Sequence, residues 1–360
     1  MTWYSRLSQR GKVLLTGGVL GGVLVVAAAA IPVPYVALGP GVTYNTLGAV
    51  DGTQVISFSG KGIPSSAAEE IPGASHLNMT TISVTDGLPL FAALGLWANG
   101  DSALVPREDQ FPPDKSVEQV NQQNAELFQE SQSAAEIAAL RYLKYPEVVY
   151  VGDIPTDSPS AGKLQPNDRI TSFGGTAVTD RASLLKAILP TKPGQQVEVA
   201  VVRDGKPTSV QVTLGTRPDS GKQGYLGTLP TDRPIADFTI SISLDRIGGP
   251  SAGLMFTLGI IDKLTAGDLA SGHFIAGTGT INPDTADPTK PSVVGPIGGI
   301  TLKLIAARDQ GAQFFLVPAA NCSEAITDIP AGLTLVKVST VDDAMTALQQ
   351  IAAGTPTTGC

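Results

Sequence analysis

The sequence predicts a multidomain α/β and β-rich chain behind a single N-terminal apolar helix. Three observations predict it. An uncharged apolar run covers Val13 to Ile31, an alternating hairpin, "VEVAVVRDGKPTSVQVTL", lies mid-chain, and strand and helix patterns alternate from Pro234 to Ala352. At 360 residues there is room for two or three cores. Only 16% of residues are charged, while 40 glycines and 27 prolines favour short strands and many turns. A net charge of −8 argues against sequence-independent binding to nucleic acid, which needs a basic face. Each Gly-Lys pair is followed by a residue other than Ser or Thr, so no phosphate-binding loop of an ATPase motor is visible. No metal or cofactor is expected.

Residues 1–12 carry Arg6, Arg10 and Lys12, and no further basic residue occurs until Lys61. A helix of about 20 apolar residues crosses the hydrocarbon core, with its basic flank held in the cytoplasm. Residues 13–31 therefore read as a single-pass anchor in the cell membrane, with the body extracytoplasmic. A cleaved signal peptide is the alternative, because Ala27 to Ala30 offer small residues to a peptidase. Cys322 and Cys360 would then meet an oxidising environment. Whether they bridge, and so tie down the tail at 353–360, depends on geometry that spacing does not give.

Residues 37–147 read as a mixed α/β region. "LNMTTISV" is rich in β-branched residues and predicts a strand, and the stretch after Pro112-Pro113 predicts a long helix with Ala134, Ala135, Ile137, Ala138, Leu140 and Leu143 on its apolar side. Residues 148–215 alternate differently: Val197, Val199 and Val201 share one face, Asp204-Gly205 supplies a tight turn, and Val210, Val212 and Leu214 resume the alternation. Residues 216–233 read as a Pro/Gly/charged linker. From 234 to 352 the pattern is that of an α/β unit of ordinary domain size.

Within that unit "GGPSAG" places Ser251 between a Gly-Gly-Pro turn and an apolar helix. Two roles fit: an N-cap accepting a hydrogen bond from the first turn, or a nucleophile beside N–H groups able to hold an oxyanion. A nucleophile needs a base. The chain has two histidines, His76 and His273, and neither stands at a triad spacing from Ser251. Lys303 lies three residues after Ile300 and four before Ala307, on the apolar face of a helix that begins after Gly298-Gly299. Burial there would lower the pKa of its amine toward a general base's range, whereas a snorkelling lysine would keep its head in water.

Two resemblances follow from these residues. Ser158, Pro159, Ala161, Leu164, Asp168 and Ile170 follow the pattern of bacterial secreted-protease PDZ domains, with Asn167 where that pattern has Gly, and no carboxylate-binding loop is recognisable in "YPEVVYVG". Such a fold either adds a peptide to its sheet edge or is a small packing domain. "GGPSAG", "GTGTI" and "GPIGGITLKLIAARDQGAQFFLVP", in that order, resemble the proteolytic domain of the Lon family. That resemblance implies a Ser–Lys dyad of Ser251 and Lys303, with Thr278 near the amine and Ala252 as a second supporting residue at the helix start. Ile247-Gly248 and Gly279-Thr280-Ile281 depart from the family's Lys-Asp and Gly-Glu-Ile. The whole layout, including "PYVALGPGVTYNTLG", is similar to membrane-anchored PDZ–Lon proteins of Gram-positive bacteria.

The implied function is an ATP-independent serine endopeptidase acting on unfolded or flexible extracytoplasmic polypeptides, with protein or peptide substrates held by the PDZ-like segment. A homo-oligomer is compatible with this reading. The rivals are a non-catalytic scaffold that binds protein partners and an enzyme whose main reaction is its own processing.

Overall fold

A computed structural model describes residues 8–68, 73, 75–100, 102–218, 221–244, 247–285 and 287–360. Arg6, one of the basic residues ahead of the apolar run, lies outside them. The first element is helix α1 (Gln9–Ala30), capped by Ser8, whose hydroxyl accepts the Gly11 N–H. It has a mean hydropathy of 2.3 and packs no residue into the core, so it is long and apolar enough to cross a membrane, and a signal sequence would look the same.

Strands β1 (Tyr35–Asn45), β2 (Ile56–Gly60) and β3 (His76–Thr85) come next, then helix α2 (Leu90–Asn99) and strand β4 (Ala103–Pro106). Helix α3 (Val117–Tyr142) begins with a capping box: the Gln119 N–H donates to Ser116, and the Ser116 N–H donates back to the Gln119 side chain. Its buried stripe includes Phe128, Ser131, Ala135, Ala138 and Ala139, so the predicted apolar face extends nearly two turns further back.

The PDZ-like sheet contains β5 (Glu147–Val151), β6 (Arg169–Phe173), β7 (Gln196–Arg203) and β8 (Lys206–Thr213), with α4 (Arg181–Ile188) beside it. The predicted hairpin is β7–β8, with Val199 opposite Val210 and Asp204-Gly205 at the turn. The stretch 216–233 departs from a free linker. Its last residues enter β9 (Pro230–Pro234), which pairs antiparallel with β5, giving the order β8-β7-β6-β5-β9. An uncovered edge on β5 would leave its backbone groups unpaired, and β9 removes that edge. The Asp232 side chain also accepts the Arg181 N–H at the start of α4.

The C-terminal unit contains β10 (Phe238–Ile242), α5 (Gly253–Leu264), β11 (Phe274–Gly277), β12 (Thr280–Asn282), β13 (Val293–Gly295), α6 (Ile300–Asp309), β14 (Phe314–Pro318), β15 (Thr334–Val338) and α7 (Val341–Ala352). Its main sheet runs β15-β14-β11-β3-β1-β4. The boundary expected near 234 therefore cuts across a sheet. Strands β1 and β3, from the region read as 37–147, pair with each other, and β3 lies parallel to β11, with His76 opposite Phe274. Helix α5 runs through the middle of the core, buried at every position, between this sheet and α3.

Cys322 and Cys360 are bridged, with Cα atoms 5.2 Å apart, and the Lys337 N–H donates to the Thr358 carbonyl. The tail is thus held against β15.

Candidate active site

Ser251 sits one residue before the capping position of α5. It caps nothing: the N-cap residue is Ala252, and no side chain bonds the first turn. The Ser251 hydroxyl instead accepts a hydrogen bond from Lys303 Nζ at 2.7 Å. Lys303 lies on α6, one turn past Gly299, whose carbonyl accepts the Lys303 N–H. Gly299 has φ 69°, a left-handed conformation suited to glycine, and the helix that follows it packs on β1 and β3.

Lys303 is 2% exposed, with its neighbours Ile300, Leu304 and Ala307 equally withdrawn. The snorkelling arrangement is not what the side chain adopts. Burial lowers its pKa from 10.5 to about 7, with desolvation as the cause. The amine makes a second bond, to Thr278 Oγ1 at 2.9 Å. Thr278 in turn donates to the Ser251 carbonyl at 3.0 Å, and the Gly279 N–H donates to the same carbonyl at 2.9 Å. The turn after β11 therefore grips the serine's backbone while its threonine touches the amine. An amine that is neutral near pH 7 can accept a hydroxyl proton, which a lysine of ordinary pKa does poorly.

The helix start supplies the complementary charge. First-turn N–H groups have no partner inside their own helix, and the α5 macrodipole places partial positive charge there. The Leu254 N–H is taken by the Gly279 carbonyl, while Ser251 and Ala252 line an open cleft of about 1180 Å³. The cleft runs between β1 and β3 on one side and α3 with the 247–249 loop on the other. Strand β4 pairs with β1 only from Tyr35 to Leu38, so among the described residues the rest of β1 has no strand on its far side.

Sequence reasoning missed the α3 contribution. The Asn124 carbonyl accepts the Gly249 N–H, Ser131 Oγ donates to the Pro250 carbonyl at 3.0 Å, and Asn121 and Asn124 line the cleft. A methyl on Gly253 would come within 2.9 Å of Ile281 and 3.1 Å of the Ser131 hydroxyl. Nothing in the sequence singles out these polar α3 positions, because no local pattern links them to residue 250. The two histidines are elsewhere: His76 stacks on Phe274 at 4.5 Å and His273 contacts Gln313, both at the opposite end of β11 from Thr278.

Residues 246–350 match the profile of the Lon protease (S16) C-terminal proteolytic domain, and residues 117–214 match that of a PDZ domain. The chain carries a PDZ domain and a Lon-type proteolytic domain. The Lon protease of Campylobacter concisus (strain 13826) is 38% identical over 101 residues, which are 27% of this chain and 11% of that protein. The periplasmic pH-dependent serine endoprotease DegQ of Escherichia coli (strain K12) is 29% identical over 131 residues, 34% of this chain and 29% of that one. The chain thus spans less than a third of either relative. The PDZ domain of the SdrC-like protein from Listeria monocytogenes is 25% identical, covering 23% of this chain and 86% of that one with a TM-score of 0.22. The matched domain and the serine endoprotease relatives support a serine protease. The PDZ match begins at Val117, so it takes in α3, which packs on α5 rather than in the PDZ sheet.

Proposed function

We propose that this protein is an ATP-independent serine endopeptidase in which Ser251 attacks the peptide carbonyl carbon and Lys303 takes its proton. The observation that carries the reading is the 2.7 Å approach of a buried amine, held otherwise by the Thr278 hydroxyl, to a serine hydroxyl that lines a cleft. As the Oγ–carbon bond forms, the carbonyl oxygen gains charge beside the N–H groups at the start of α5, including that of Ala252. Collapse expels the amine product, which takes the proton from Lys303. Water then attacks the acyl-enzyme as Lys303 takes its proton, and collapse breaks the acyl–Oγ bond, releasing the carboxylate product while Lys303 returns the proton to Ser251 Oγ. Thr278 positions both partners: it touches the amine and holds the serine carbonyl.

The uncovered part of β1 supports extended, unfolded polypeptide as substrate, since a strand can add there along the cleft. The PDZ domain would hold such chains near the cleft. The apolar α1 and the Cys322–Cys360 bridge both fit a body outside the cytoplasm, tethered by α1.

The test is a serine-directed phosphonate probe with an unfolded test protein and no nucleotide. Native protein should label and cleave; Ser251→Ala should do neither. Labelling that persists in a well-folded Ser251→Ala protein would sink the assignment.

A further inference from the structure

Helix α2, "LFAALGLWAN", has no charged residue, and only one side of it is used by the fold. Ala93 is buried and Leu96 half-buried, packed with Ala37 and Leu104 of the sheet beneath. The other side presents Leu90, Phe91, Leu94 and Trp97, which are 41%, 51%, 47% and 66% exposed. Spacing of i, i+4 and i+7 puts Leu90, Leu94 and Trp97 in one stripe, with Phe91 beside it. A contiguous apolar face of this kind marks a surface that meets something other than water.

The position of α2 says what it meets. The Val33 N–H, three residues past the end of α1, donates to the Leu88 carbonyl at 2.8 Å, and Pro32 bridges Pro89. The start of α2 is thereby fastened to the end of α1, the two helices contact each other, and Ala27 and Ala28 near the end of α1 are half-buried. Nearby, Asp86 and Arg107 pair with each other at 2.9 Å, so these charges largely offset one another.

We infer that α2 is an interfacial helix, its Leu90–Phe91–Leu94–Trp97 face entering the headgroup–acyl boundary of the leaflet from which α1 emerges. The inference rests on the reading of α1 as a membrane span. If α1 crosses the bilayer, a helix stitched to its exit lies at interface depth, where tryptophan is favoured and an apolar face with no charge finds its solvent. The same strand, β1, packs under α2 at Ala37 and lines the cleft from Leu38 to Tyr44. Seating α2 in the interface would set the cleft at a fixed height and direction above the membrane, instead of leaving the body to swing on a tether.

The chain has two tryptophans, so Trp3→Phe leaves Trp97 as sole reporter in the full-length protein. The protein is reconstituted in phosphatidylcholine vesicles with bromines high on the acyl chains, and retention after an alkaline wash reports the span separately. The expected result is a retained protein whose emission is blue-shifted and falls by half or more with brominated lipid. The triple variant Leu90→Ser/Phe91→Ser/Leu94→Ser should restore water-like, unquenched emission with α1 still retained. Water-like emission from the retained parent overturns the inference and leaves the span standing. Blue-shifted but unquenched emission means that protein, such as a second copy, covers the face, which also overturns it. Release by the wash removes the span reading, and this inference with it.

Discussion

Lys303 Nζ lies 2.7 Å from Ser251 Oγ, although the two residues are 52 positions apart, and no carboxylate figures among the amine's hydrogen-bond partners. A surface lysine would stay protonated at neutral pH. Here desolvation sets the pKa at about 7, so the basic form is a large fraction of the amine under ordinary conditions.

Turnover should therefore rise with pH through about 7 and level off roughly one and a half units higher. The sign follows from the base needing its neutral form, which is about a tenth of the amine one unit below the midpoint. A kcat/KM profile on a short peptide measures it. Lys303→Arg keeps the charge but cannot deprotonate, so it should lose on the order of 10²–10⁴ in rate while melting as a folded protein. A profile that falls through pH 7, or a near-native arginine variant, would contradict the base assignment.

A buried amine of this kind costs stability. Below pH 7 it is charged in both folded and unfolded chains, and the full desolvation penalty applies. Between about 7 and 10.5 only the unfolded chain is charged, so stability rises with pH; above 10.5 the penalty is gone. Lys303→Met fills a similar volume without the penalty. It should be inactive yet more stable than native protein at pH 6, by on the order of 2–5 kcal/mol, with the gain shrinking toward pH 10. Denaturant melts at several pH values check this.

Thr278 should separate positioning from packing. Thr278→Val removes the hydroxyl that accepts from Lys303 and donates to the Ser251 carbonyl, while Thr278→Ser keeps it. Loss of a buried hydrogen bond of about 1–2 kcal/mol corresponds to a fall of roughly 5- to 30-fold in kcat. The acceptor also favours the ammonium form, so the valine variant's pH midpoint should move down. The serine variant should remain within a few-fold of native on both measures. A valine variant with native rate and midpoint would leave Thr278 a packing residue.

Much of this site was legible because its parts are local motifs. Ser251 stands at a Gly-Gly-Pro break before an apolar run, and Lys303 falls on the face set by Ile300 and Ala307, so helical spacing puts its Cβ inward, while only the structure decides that the amine is buried and does not snorkel. The Cβ directions of one helix suffice for that. What remained hidden depends on distant pairing. Nothing in "LNMTTISV" says that it lies parallel to the strand at 274–277, nor does "PTDRP" announce a strand that closes the PDZ sheet at Val151 to Glu147. Asn121 and Asn124 are ordinary polar positions on a helix until β1 is laid opposite them.

The Cys322–Cys360 bridge closes a loop of 38 residues, for which chain entropy implies about 3–4 kcal/mol. Cys360→Ser should lower the melting temperature of the proteolytic domain and expose the tail to added protease, with peptide turnover at low temperature little changed. A variant that melts with native protein would mean that the tail contributes nothing to the fold.

The junction between the two domains turns on Arg141, at the end of α3. Its guanidinium is buried and reaches three places: Glu147 of the PDZ strand β5 at 2.9 Å, the Asp232 carbonyl of β9 at 2.9 Å, and the Asp284 carbonyl beyond β12 at 2.7 Å. One side chain thus joins the PDZ sheet to the proteolytic domain, on the same helix whose Ser131 and Asn124 hold the loop before Ser251. Arg141→Met keeps much of the apolar stem but loses the fork of charged hydrogen bonds, leaving the half-buried Glu147 carboxylate unpaired. The joint should loosen while each core survives, because the Val199 cluster and the Phe256 cluster are each packed from their own apolar side chains and the bonds of Arg141 go to polar atoms outside them. If the PDZ domain presents chains to the cleft, kcat/KM for an unfolded protein should fall several-fold, while a short peptide that needs no docking keeps a rate within about two-fold. Two melting transitions in place of one would report the loosened joint directly. Equal losses on both substrates would instead place the effect of Arg141 on the Ser251 loop, transmitted along α3, and the PDZ domain would have no part in presenting the substrate.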